Sequence, residues 1–223
     1  DGTRMPLEFL ELAEHSGLIQ PLTRWILGEA AAATRSLAQD GSQLVVSTDL
    51  SFRNLSDPDL LTFLSLLISS GELSPDALQL EVSEIELMDD PIRAVETLTQ
   101  LRDLGLAVIV DDLGTGYTSL STICQLPIAG LKIDRSFVAN VSSVPADAAI
   151  VRSTIDVCHE LGLSVGADGV GDATTLSTLV GFGCDHAQGG HLSGPVPLDQ
   201  LAQRIAELES AVRGWIGTTE NAT

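Results

Sequence analysis

The chain has one lysine, Lys132, and its 11 Lys and Arg face 31 Asp and Glu, for a formal charge of −20 over 223 residues. A surface that acidic repels phosphate backbones and anionic lipid, which argues against DNA binding and against membrane contact by this segment. A phosphate-bearing ligand would need local cations to overcome that field, and bound metal ions supply them most directly. Cysteine is scarce: Cys124, Cys158 and Cys184 form no C-x-x-C pair, so neither a disulfide framework nor a thiolate zinc site is indicated. A reducing, cytoplasmic setting fits that usage. No apolar run reaches membrane-spanning length, and the first residues are polar rather than basic followed by apolar. His15, His159, His186 and His191 show no H-x-x-x-H ligand spacing, and Trp25 and Trp215, without a basic aromatic platform around them, read as core or helix-packing residues.

What is present suffices for a large core: 44% of residues are apolar and 19% charged, over a length suited to one α/β domain. Residues 1–217 read as that domain and residues 218–223 as a frayed tail. The abrupt start at DGTRMPLEF suggests a domain cut from a longer chain. The spacing predicts an opening helix over 6–19, started by Pro6, and a second over 21–39 that stops near Asp40-Gly41. Short apolar strands then alternate with helices: LVVSTDL, ALQLEVSE, LAVIVDD, GLKID, LSVGAD and CDHAQ. This alternation predicts βα units with a parallel sheet, either open or closed as a barrel. No G-x-G-x-x-G follows the first strand, which leaves a dinucleotide-binding sheet without support. Polar residues, nearly all oxygen-bearing, at successive strand ends favour the barrel: Asp49, Glu81 with Glu84, Asp111 with Asp112, Lys132 with Asp134, Asp168 and Gln188.

Asp111-Asp112 ends an apolar strand and leads into LGTGYTSL, where Gly114 and Gly116 permit unusual backbone angles. Adjacent carboxylates stay ionised together only beside cations, and hard divalent ions prefer such oxygen donors. The pair equally suits a cap on the following turn. In LEVSE, Leu80 and Val82 share one strand face and Gln79, Glu81 and Ser83 the other, so Glu81 can point into a barrel lumen. There it would serve as a metal ligand or as an interior carboxylate held by Lys132. The lysine, in turn, could position a water or steady phosphate charge, or form a structural ion pair.

LEVSE, VDDLGTGYTSLSTICQLPIAGLKIDRSFV, ADGVG and GCDHAQGG resemble, in order and spacing, the EAL-domain phosphodiesterases that hydrolyse cyclic di-GMP. The likeness runs from about PLEFLELAEHSGLI to GPVPLDQL. It implies an α/β fold, a modified (β/α)8 TIM-like barrel whose first strand is truncated here. It also implies two Mg2+ or Mn2+ ions at a phosphodiester of cyclic di-GMP, which is opened to linear pGpG. Carried over by position, Asp49, Glu81, Asp111 and Asp112 resemble metal ligands, and Lys132, Asp168 and Gln188 catalytic residues. Glu84, Gly114, Thr115, Gly116, Tyr117 and Asp134 resemble the loop and its supports. A homodimer and an upstream GGDEF or sensory domain are the partners this family suggests.

The chain also departs from the family pattern. The Glu-Ala-Leu signature is absent and would fall just before Asp1, together with its strand and a nearby substrate-contacting Arg. Asp49 stands where an Asn is usual. Asp168 replaces the first Glu of E-G-V-E, which withdraws the carboxylate by roughly 1.5 Å from a site needing sub-ångström placement. Gly171 replaces the second Glu, and Gly190 and Gly194 stand where Tyr and Arg are common. Losses within one site couple, so weak or absent turnover is expected. The alternative is a non-catalytic cyclic di-GMP receptor or a protein-interaction module.

Overall fold

In a computed structural model, residues 9–39, 44–116, 120–123 and 125–219 are described. Their order is α1 (Leu10–Ser16), α2 (Ile19–Gln39), β1 (Val46–Asp49), α3 (Phe52–Leu55), α4 (Pro58–Ser69), β2 (Leu78–Ser83), α5 (Glu84–Asp89), α6 (Pro91–Asp103), β3 (Ala107–Leu113), α7 (Leu120–Ile123), β4 (Gly130–Ile133), α8 (Arg135–Val138), α9 (Pro145–Glu160), β5 (Ser164–Ala167), α10 (Ala173–Gly181), β6 (His186–Ala187) and α11 (Leu198–Thr219). Each strand pairs in parallel with the next, giving one sheet in sequence order.

The sheet curls. Ser47, Gln79, Ile109, Lys132, Gly166 and His186, one from each strand, line a single lumen of about 300 Å3. Their neighbours in the strands point outward: Leu78, Leu80, Val82, Val108, Val110 and Val165 are at most 1% exposed, packed with helical residues such as Leu64, Leu98 and Ile155. Period-two alternation therefore decides which side chains reach the lumen. Among the described residues the edge strands β1 and β6 do not pair, so the six strands form a curled part of a barrel rather than a closed ring of eight.

Several helices start with an acidic cap that ends the preceding turn. Asp57 accepts from the Asp59 N–H and Asp90 from the Arg93 N–H, each with proline next in line, and Asp172 accepts from the Thr175 N–H. These caps fix where each helix turns back over the sheet.

The strands and long helices lie where periodicity puts them, with several corrections. The opening helix is shorter than 6–19: it stops at Ser16 because Gly17 takes φ +75°, and α2 starts at Ile19 with Pro21 inside its first turn. Trp25 is 63% exposed, so it faces solvent rather than the core. Helix α10 is an element that sequence periodicity passed over. The closing helix runs through Thr219, two residues into the stretch expected to fray. Pro6, Asp40-Gly41, Tyr117, Cys124 and residues 220–223 lie outside the described residues. Among the described residues no helix is long and apolar enough to cross a membrane.

Candidate active site at the strand tips

Register brings the acidic residues together. Asp49 pairs with Glu81 across β1 and β2, and Ser83 pairs with Asp111 across β2 and β3, so Asp111 sits two residues further along the same face as Glu81. Carboxylate oxygens of Asp49, Glu81 and Asp111 lie within 4.8 Å of one another, the one group of its kind among the described residues. Three hard oxygen donors at that separation suit a divalent cation.

Between β3 and β4 the register slips: Val110 pairs with Leu131, but Leu113 with Ile133. Asp111 and Asp112 together oppose Lys132, which is a bulge. Asp112 carries the strain, with φ +56°, a left-handed conformation that Asp tolerates better than most residues. The bulge suspends the in-out alternation, and both carboxylates line one 510 Å3 cavity beside β1, together with Asp49, Glu81 and Glu86. Asp112 itself is exposed and stands outside the group of three, where it feels the charges of Asp134, Lys132 and Asp168.

Lys132 reaches the cluster from β4. Its Nζ donates to Glu81 Oε2 at 2.7 Å and to Asp111 Oδ2 at 2.8 Å, with the three side chains 12%, 8% and 19% exposed. Burial works against the ammonium, but the hydrogen bonds it donates to two carboxylates overcome it, so the lysine's pKa rises. The acids share it unequally. Burial would raise Glu81, yet hydrogen bonds from Lys132 and Ser47 hold it below the ordinary range. Asp111 stays above that range, because burial outweighs Lys132 and the Asp112 N–H. Asp49 touches solvent, but much of its surroundings is protein. Burial, then the charge of Glu81, pushes its carboxyl up, with Lys132 opposing. Asp112 is raised by burial, then by Asp134, with Asp168 adding to it.

The remaining expected residues divide by role. Glu84, 1% exposed at the start of α5, accepts from the Gly114 N–H at 3.0 Å and the Gly116 N–H at 3.3 Å, which ties the loop after β3 to β2. The Thr115 hydroxyl donates to the Asp112 carbonyl at 2.8 Å. Asp134 caps α8 by accepting from the Ser136 N–H, and its hydrogen bonds hold it below the ordinary range against the pull of burial. Asp168 follows β5 outside the group of three, its N–H bonded to the Ile133 carbonyl. Gln188 lines the lumen with Glu81 and Lys132.

Sequence reasoning missed Ser47, which accepts from Gln79 Nε2 at 2.9 Å and hydrogen-bonds Glu81; its place two residues before Asp49 on one strand face was the available signal. It also missed Phe137, the ring that Gly114 rests on, where a Cβ would sit 2.6 Å from a ring carbon.

The family described as "EAL domain" matches residues 1–195. Signaling protein YkoW of Bacillus subtilis is 36% identical over 93% of this chain and 26% of its own length. Cyclic di-GMP phosphodiesterase PdeR of Escherichia coli is 32% identical over 88% of this chain and 30% of its own length. The chain thus spans about a quarter to a third of these relatives. A solved structure, "PaMucR Phosphodiesterase, c-di-GMP complex", superposes with a TM-score of 0.81 at 35% identity, over 88% of this chain and 80% of that one.

Proposed function

The chain belongs to the EAL domain family, and from that membership we propose that its strand tips bind cyclic di-GMP through divalent metal and open one phosphodiester to linear pGpG, at reduced rate or not at all. The observation carrying this reading is the meeting of Asp49, Glu81 and Asp111 within 4.8 Å at one mouth, with Lys132 against two of them. The donor set is all oxygen and fits Mg2+ or Mn2+. When bound, such an ion polarises a phosphoryl oxygen and acidifies water. Asp49, Glu81 and Asp111, with Asp112 beside them, hold the metal. Lys132 orients the attacking water, Gln188 offers a hydrogen bond from the lumen wall, and Asp168 serves as a shortened counterpart of a glutamate. Glu84 keeps the Gly114–Gly116 loop in place, and Tyr117, next in sequence, belongs to the same proposed support.

Impairment is supported by the three glycines at departing positions. A Cβ at Gly190 or Gly194 would meet nothing within 4 Å, and at Gly171 only the Gly169 carbonyl at 4.0 Å. No packing demand requires glycine there, so the groups missing at these positions are lost without a structural gain. That observation also favours the second reading, a receptor or interaction module that binds without turnover. A cytoplasmic setting, a second copy of the chain as partner and a GGDEF or sensory domain on the parent chain belong to the same proposal; the relatives extend well beyond the matched segment.

The test is calorimetric titration of cyclic di-GMP in Mn2+ and in chelator, followed by chromatography for the linear dinucleotide. Metal-dependent binding with slow product supports the phosphodiesterase reading, and binding without product the receptor. Absence of both binding and product overturns the proposal.

A further inference from the structure

We infer that Lys132 is the resident counter-ion of the metal site: its ammonium and a divalent cation compete for Glu81 and Asp111, so metal loading requires the lysine to release at least one of them. The inference rests on the metal-site reading above and deepens it.

Three carboxylates this close, in a mouth where Glu81 is 7% exposed, cannot be left to water and dissolved salt for neutralisation. The chain has 20 more acidic than basic residues and a single lysine, and that lysine is the cation set between Glu81 and Asp111, at 2.7 and 2.8 Å. A lysine suits this post better than an arginine. Its charge is compact, its stem is flexible, and its three N–H donors rotate independently of any fixed plane. Two of those donors are engaged by Glu81 and Asp111, while Asp49 completes the acidic group from β1. The arrangement keeps the acids converged before metal arrives, and a positive charge inside the ligand set weakens the hold on a second cation. Lys132 is on this account a positioning residue for the metal in addition to any role toward water.

The test is calorimetric titration of Mn2+ into wild type, Lys132→Met and Lys132→Arg, with thermal unfolding of each in chelator and in Mn2+. Lys132→Met is expected to bind Mn2+ at least tenfold tighter than wild type, to unfold at lower temperature in chelator, and to gain more from Mn2+. Lys132→Arg keeps a cation in place and is expected to bind no tighter than wild type. Equal or weaker Mn2+ binding by Lys132→Met overturns this inference and leaves the metal site standing. Mn2+ binding by none of the three overturns both.

Wild type itself supplies a measurement that does not depend on how the variants fold, since a sole lysine gives a single side-chain 15N resonance. At Mg2+ saturation that resonance is expected to lose its protection from solvent exchange. Saturation without loss of protection contradicts the competition.

Discussion

Glu84 and Gly114, thirty residues apart in sequence, are joined by a 3.0 Å hydrogen bond from the glycine N–H to a buried carboxylate oxygen. The loop after β3 is thus held by the first residue of α5, just beyond the end of β2. Glu84→Gln keeps the shape but removes the charge and turns one acceptor into a donor, which should destabilise the chain by about 1–3 kcal/mol. Urea unfolding measures the loss. Amide exchange at Gly114 and Gly116 should accelerate in the folded state, and unchanged exchange would show that the loop holds itself.

Gly189 and Gly190 are adjacent and should respond oppositely to alanine. A Cβ on Gly189 would lie 2.3 Å from the backbone N and O of Val170, whereas one on Gly190 meets nothing within 4 Å. Gly189→Ala should cost about 2–3 kcal/mol through forced backbone shifts, and Gly190→Ala less than about 0.5 kcal/mol. Chemical denaturation of the two variants side by side decides it.

Gly171 has room for a side chain, and Asp168 is one methylene shorter than the glutamate proposed for its position. The double variant Asp168→Glu, Gly171→Glu should fold as wild type and raise Mn2+-dependent turnover of cyclic di-GMP at least tenfold, consistent with the rate sensitivity of such sites to placement. Turnover at the wild-type rate would locate the impairment elsewhere.

Asp185 accepts from His159 Nε2 and from the Val165 N–H, both at 2.8 Å. Burial opposes ionisation, but these donors, His159 first, hold the carboxyl below its ordinary value of 3.8. A lowered acid stabilises the fold above the unfolded pKa and loses that contribution as pH falls through the folded one. Asp185→Asn should therefore cost about 1 kcal/mol at pH 6, discounted for the side chain's partial exposure, and the gap from wild type should close below pH 3.8. Urea midpoints across that range test the sign.

Much of this site could be read from strand patterning. Each apolar run ends on an oxygen-bearing residue, and the alternation of Gln79, Glu81 and Ser83 already aimed Glu81 at the lumen. The bulge at Asp111 and Asp112 was not legible, because it exists only relative to β4: nothing within AVIVDDL says that two residues will oppose one. For the same reason sequence could list Asp112 with the other acids but not show that it leaves the group of three. Helix α10 was passed over since ATTLSTLVG is rich in threonine, a weak helix former, and its start is set by the Asp172 cap. The anchoring of Gly114 by Glu84 needed the fold to bring residues 84 and 114 together.

The convergence of Asp49, Glu81 and Asp111 on one cation is tested most directly by Mn2+ titration followed by electron paramagnetic resonance, on wild type, Asp49→Asn, Glu81→Gln and Asp111→Asn. Wild type should capture Mn2+ and each single substitution should weaken that capture at least tenfold. Wild-type Mn2+ affinity in any two of the three variants would contradict a shared site.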